Sequence, residues 1–203
     1  MKKAYLIHGT STRDDDWFPW LEKAARPAIE LDRLWLPDPF APQQVAWDQA
    51  VDDQIKAEDG ITLVAHSLGC ITAVRWLARH DVKNVGLLLV GAFDQPLPNY
   101  AGLDEFMQGS VDYRQVRPKI SRATVITAQN DPIAPYQFGV AMANRLGAKL
   151  IVRPDGGHYL TSDGFTEFPL ALTELKRVAG VECLDGTCQI QFDKHYFVTG
   201  GVD

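Results

Sequence analysis

The chain has no excess of positive charge, no long apolar run and few cysteines. Its 20 lysines and arginines are outnumbered by 26 aspartates and glutamates, for a net charge of −6. That balance is the wrong sign for a nucleic-acid partner. No apolar run reaches the roughly 20 residues of a membrane-spanning helix, so no membrane partner is expected either. Met1-Lys2-Lys3 resembles the basic start of a secretion signal, but the apolar stretch Ala4-Tyr5-Leu6-Ile7 ends at His8-Gly9, too soon for one. A cytoplasmic location is the expectation. Three cysteines do not make a disulfide framework. Cys70 reads as a small core residue. If Asp185-Gly186 is a two-residue hairpin turn, Cys183 and Cys188 face each other across it. A cross-strand disulfide is then geometrically available, while a cytoplasmic location favours reduced thiols. A zinc site made from this pair and His195 would lack a ligand.

What is present is a chain of ordinary globular composition, 46% hydrophobic and 23% charged over 203 residues, enough for one domain with a sizeable core. It is organised around Ile61-Thr62-Leu63-Val64-Ala65-His66-Ser67-Leu68-Gly69-Cys70. The apolar, partly β-branched start predicts a buried strand. Ile71, Val74, Trp76 and Leu77 then give helical spacing up to His80. Ser67 therefore sits on a sharp strand-to-helix turn between small residues, Ala65 and Gly69, which is the setting of a nucleophile elbow. The consensus is G-x-S-x-G, and alanine replaces the first glycine. Taken alone, the same serine also reads as a helix N-cap.

Strands and helices alternate along the rest of the chain. Residues 4–7, 33–36, 61–64, 85–90, 123–128 and 149–152 read as six strands. Helices are predicted from Trp17, with Asp15 or Asp16 as N-cap, and over residues 43–56, 71–80, 135–146 and from Pro169. A short helix is expected near residues 103–107, inside an otherwise irregular stretch, 92–122. Residues 181–199 break the alternation and read as a terminal antiparallel hairpin. The expectation is an α/β fold: a three-layer sandwich with a mostly parallel, about six-stranded sheet, helices on both faces and a C-terminal hairpin. Residues 1–203 read as one domain with its core at 3–179.

A serine hydroxyl needs a base, and the base needs an acid to orient it. In a sheet of this type the order along the chain is serine, acid, histidine, each after the end of a strand. Asp131 follows the strand at 123–128, and His158 follows the last core strand in Gly156-Gly157-His158. Asp94 is the second candidate acid. Asp155 and Asp163 read as loop polar groups. His66 reads as a packing and hydrogen-bonding group of the elbow, His8 as a fixer of the loop after the first strand, and His80 as a helix C-terminal residue. His195 lies far along the chain in the terminal hairpin. An oxyanion hole requires two donors. These are assigned to the backbone N–H groups of Leu68 and Thr10, with Ser11 as the fallback. Trp17 and Phe93 are candidates for the pocket wall or for core.

These residues resemble the α/β-hydrolase superfamily, and within it the small serine hydrolases typified by retinoblastoma-binding protein 9. The similar features are His8-Gly9, Trp17-Phe18-Pro19-Trp20-Leu21, Ala65-His66-Ser67-Leu68-Gly69, Asn130-Asp131-Pro132, Gly157-His158, Gly164-Phe165 and Phe168-Pro169. The resemblance covers about residues 3–179. It implies a compact hydrolase with Ser67, Asp131 and His158 as its triad, acting without metal or organic cofactor. The expected reaction is hydrolysis of an ester, thioester or amide of a small acyl substrate, most simply as a carboxylesterase. Two other readings stand beside it: an acyltransferase using the same residues, and a non-catalytic interaction module on a hydrolase scaffold. The L-x-C-x-E segment of the namesake is absent, since Leu68-Gly69-Cys70-Ile71-Thr72 ends in threonine, so no pocket-protein binding is carried over. The terminal hairpin is a candidate homodimer contact.

Overall fold

The computed structural model of the chain describes residues 1–181 and 197–199. Its elements in order are β1 (Lys2–Ile7), α1 (Phe18–Ala25), β2 (Ile29–Arg33), α2 (Gln44–Gln54), β3 (Thr62–His66), α3 (Leu68–Arg79), β4 (Val85–Val90), α4 (Tyr113–Val116), β5 (Ile120–Ala128), α5 (Tyr136–Leu146), β6 (Lys149–Arg153), α6 (Pro169–Val178) and β7 (Phe197–Thr199). They form one sheet in the order β2-β1-β3-β4-β5-β6-β7. Neighbouring strands from β2 to β6 are parallel, and β7 pairs antiparallel with β6.

The alternation of strand residues explains the three layers. Tyr5, Ile7, Leu63, Ala65, Leu87, Leu89 and Val125 point to a core shared with Trp47 and Val51 of α2, Val74 and Leu77 of α3, and Met142 of α5. Ala4, Leu6, Val64, Leu88, Val90 and Ile126 point the other way, to Phe18 and Leu21 of α1 and Ala171 and Leu175 of α6. Both faces being covered, β4 is buried at every position, as its wholly apolar sequence requires. The order of strands reverses direction between β1 and β3, the position at whose C-terminal side open α/β sheets gather their functional groups.

The sequence expectations hold for most elements and fail at three places. The second strand runs over Ile29–Arg33 rather than 33–36. By Trp35 the chain has left the ladder, because the Gln54 side chain accepts from the Trp35 N–H and donates to its carbonyl. Helix α1 is not capped by Asp15 or Asp16: its N-cap is Trp17, with no side-chain cap bond. Asp15 bonds the Thr12 N–H instead and Asp16 the Thr161 N–H. The short helix near 103–107 is only a 3-10 turn at Ala101–Leu103, followed by turns. The regular turn of helix in this stretch is α4, which Asp112 caps by accepting from the Arg114 N–H. At the terminus only the strand Phe197–Thr199 is described. The rest of the expected hairpin, its turn at Asp185-Gly186 included, lies outside the described residues with Cys183, Cys188 and His195.

Helix α6 is fastened to the sheet by a buried carboxylate. Glu174, 2% exposed at its side chain, accepts from Lys149 Nζ (2.6 Å), Arg177 Nε (2.7 Å) and Thr124 Oγ1 (2.8 Å). Burial alone would push its carboxyl up, but these three donors outweigh it and hold the group below its ordinary value. A depressed carboxylate stabilises the fold at pH values above its ordinary value of about 4.3, and that stabilisation is lost as pH falls below it. Glu174→Gln is expected to cost about 3 kcal/mol at pH 7. It should also flatten the acid limb of stability below about pH 4.3. Urea unfolding at a series of pH values measures both.

Candidate active site

The elbow is built by close packing. Ser67, between β3 and α3, has φ 54° and ψ −126°, a conformation that residues with side chains rarely adopt. Its N–H donates to the Val90 carbonyl (2.9 Å), which ties the turn to the end of β4. The turn requires glycine at 69. A Cβ there would stand 2.2 Å from the Ile7 carbonyl oxygen and 2.6 Å from that of His8. Position 65 is less demanding, and its alanine is simply a fully buried core residue. Gly9 closes the opposite wall, where a Cβ would meet Ser67 Cβ at 2.6 Å.

Three sequence-distant side chains meet at this turn. His158 Nε2 lies 2.8 Å from Ser67 Oγ, and His158 Nδ1 lies 2.7 Å from Asp131 Oδ2. Because the carboxylate can only accept, Nδ1 carries the proton and Nε2 presents its lone pair to the hydroxyl. The other oxygen of Asp131 is fixed by the N–H groups of Ile133 (2.8 Å) and Ala134 (2.9 Å). The Asp131 side chain is 0% exposed and that of His158 3%. An imidazole held in this way can take a proton from the hydroxyl and return it to a leaving group.

The loop carrying His158 is anchored from four directions. Gly157 N–H donates to Asn130 Oδ1 (3.0 Å), and His158 N–H to Asp163 Oδ2 (2.9 Å). Trp17 Nε1–H donates to the Tyr159 carbonyl (3.1 Å), and His66 Nε2–H to the His158 carbonyl (2.8 Å). Of these anchors the sequence marks His66 as a hydrogen-bonding group and places Asn130 beside Asp131; nothing in residue type or spacing singles out Trp17 or Asp163 for this role.

The remaining candidates fall as follows. Asp94 does not face His158: Arg145 holds both its oxygens (2.6 and 2.7 Å) and the Tyr113 hydroxyl bonds one of them. The expected alternative acid is therefore an ion-pair partner at the base of the 92–122 connection. Trp17 and Phe93 are fully buried and belong to the core. His8 Nδ1–H donates to its neighbour's carbonyl at Gly9 (2.8 Å), which fixes the loop after β1, and burial lowers its proton affinity. His80 Nδ1–H donates to the Trp76 carbonyl at the end of α3 (2.9 Å). Cys70 is buried behind the elbow, and burial pushes its thiol up. Thr10 is exposed beside Gly9, and Leu68 opens α3 directly after Ser67. Among the described residues no His, Cys, Asp and Glu cluster has the form of a metal site, and no helix is long and apolar enough to cross a membrane.

A profile described as serine hydrolase matches residues 4–177, nearly the whole described core. The chain belongs to the serine hydrolase family. This serine hydrolase is 34% identical to the YdeN hydrolase of Bacillus subtilis (strain 168) over 174 residues, 83% of the chain and 92% of that protein. It is 22% identical to the serine hydrolase RBBP9 of Rattus norvegicus over 79% of the chain and 89% of that protein. The crystal structure of the B. subtilis ydeN product superposes with a TM-score of 0.81 at 32% identity, covering 89% of this chain and 100% of that one. A YdeN-like structure from Pectobacterium atrosepticum, at 16% identity and TM-score 0.67, shares the fold over 89% of this chain and 92% of that one.

His66 provides a check on the geometry of this serine hydrolase. Burial, and secondarily the charge of His158, push its imidazole down to about 3. In an NMR titration its ring protons should therefore not shift between pH 5 and pH 8.

Proposed function

We propose that this serine hydrolase is a carboxylester hydrolase for small acyl substrates, with Ser67 as nucleophile, His158 as general base and acid, and Asp131 as the group that orients the imidazole. The observation that carries this reading is the continuous hydrogen-bonded chain from Ser67 Oγ through His158 to Asp131 at the elbow. The mechanism follows from the proton positions. His158 Nε2 removes the hydroxyl proton as Ser67 Oγ attacks the ester carbonyl carbon. The N–H groups of Leu68 and Thr10 receive the oxyanion, each such donor contributing roughly 3 kcal/mol to the barrier reduction. His158 then gives the proton to the departing alkoxide, leaving an acyl-enzyme. Water, deprotonated by the same nitrogen, attacks the acyl group and releases the acid. Asp131 stays ionised throughout and stabilises the imidazolium. A small acyl group is favoured because little chain is available for a lid: among the described residues the longest connection between strands and helices of the sheet layers is 92–122.

Labelling with a fluorophosphonate probe tests the assignment. The wild type should be labelled and Ser67→Ala should not. Equal labelling of both, or of neither, would overturn the choice of nucleophile. Asp131→Asn leaves the shape intact but favours the wrong imidazole tautomer, and should lower kcat for p-nitrophenyl acetate by about 10⁴-fold.

A further inference from the structure

We propose that His66 is a positioning residue for His158, acting through its Nε2–H bond to the His158 carbonyl; this rests on the hydrolase reading above. His66 precedes the reactive serine yet makes no hydrogen bond to it. It reaches instead across the sheet end to a residue 92 positions away, at 2.8 Å. The same ring packs against the His158 ring, with centroids 5.1 Å apart and an interplanar angle of 51°. Phe18 (5.6 Å) and Trp17 (6.1 Å) enclose it from α1 and the loop before it. One side chain thus grips the main chain of the base and walls its imidazole.

This contact is placed where positional error is most costly. Tyr159, immediately after His158, has φ 61°, and Gly157, immediately before, has φ 53°. A segment with two left-handed residues around one histidine does not hold that histidine by regular secondary structure. The His158 N–H is held by Asp163 and its carbonyl by His66. Removing the His66 bond leaves the carbonyl side of the peptide unit without its partner from β3. A shift of order 1 Å at the imidazole is enough to cost about 10²-fold in rate.

The charge state of His66 fits this role. The titratable groups facing it are His158 and His8, both imidazoles, and no carboxylate among its electrostatic partners favours a cation there. A neutral ring with Nε2–H as donor leaves Nδ1 unprotonated, and that atom is buried with no hydrogen-bond partner among the described residues. A neutral neighbour adds no repulsion when His158 takes the serine proton.

The test compares His66→Phe, which keeps an aromatic ring and loses the donor, with His66→Gln, which keeps an N–H at similar reach. With p-nitrophenyl acetate, His66→Phe should lower kcat by about 10- to 100-fold, with KM within about two-fold of wild type. His66→Gln should recover most of the loss. The downfield proton resonance of the His158 Nδ1–H···Asp131 bond should shift or broaden in His66→Phe and return in His66→Gln. Wild-type kcat and an unmoved resonance in a folded His66→Phe would overturn the proposal. So would equal damage in both variants, because packing alone would then account for the loss. If the wild type itself resists the fluorophosphonate, the hydrolase reading fails, while the resonance still reports whether His66 positions the imidazole.

Discussion

The backbone of Ser67 is the constraint on which the rest of the site depends. A serine at φ 54° costs on the order of 1–3 kcal/mol relative to an ordinary conformation. It persists because the surroundings leave no alternative. The Ser67 N–H is taken by Val90 of β4, and α3 begins so close to β1 that only glycine fits at 69, against the Ile7 and His8 carbonyls. Pairing of β3 with both β1 and β4 fixes the distance over which the turn is made. The strain is balanced by the hydrophobic core on either side of these strands.

A second constraint is burial. The polar groups around Ser67 are almost wholly removed from water, and nearly all of them, His66 Nδ1 excepted, find partners inside the protein. Asp131 divides its oxygens between the turn that follows it and His158. Asn130 and Asp163 accept from the successive N–H groups of Gly157 and His158. Because the dielectric is low here, these bonds are stronger than in water, and the loss of any one is more costly. The same logic at the other end of the sheet keeps Glu174 ionised under α6 by surrounding it with Lys149, Arg177 and Thr124.

Much of this was legible in the chain. Strand β4 declared itself by six consecutive positions without a polar side chain, and the helix read over residues 135–146 ends at Gly147, which the structure shows in the left-handed conformation. The elbow was readable because a buried strand runs straight into a serine between small residues and then into the helical spacing of Ile71, Val74, Trp76 and Leu77. Asp131 and His158 were readable from their places after strands. The failures share a cause. Around Trp35, Asp16 and Phe106 the local pattern was overridden by a side chain or loop far away: Gln54, the Thr161 amide, and Gln44, whose amide donates to the carbonyls of Phe106 and Gln108. Asp94 failed as an acid for the same reason, since Arg145 comes from α5.

The sequence by itself determined the alternation of strands and helices, the elbow, and the order of serine, acid and histidine, because these depend on side-chain periodicity and on which residue follows which strand. Tertiary structure alone decided that Asp94 is taken by Arg145, which atoms anchor the histidine loop, and that His66 turns away from Ser67 to hold His158. Asp163 apart, which lies five residues from His158, those choices depend on where loops separated by 27 to 142 residues end up once the sheet is assembled. Local sequence carries no record of such distances; the packing of the strands between them sets them.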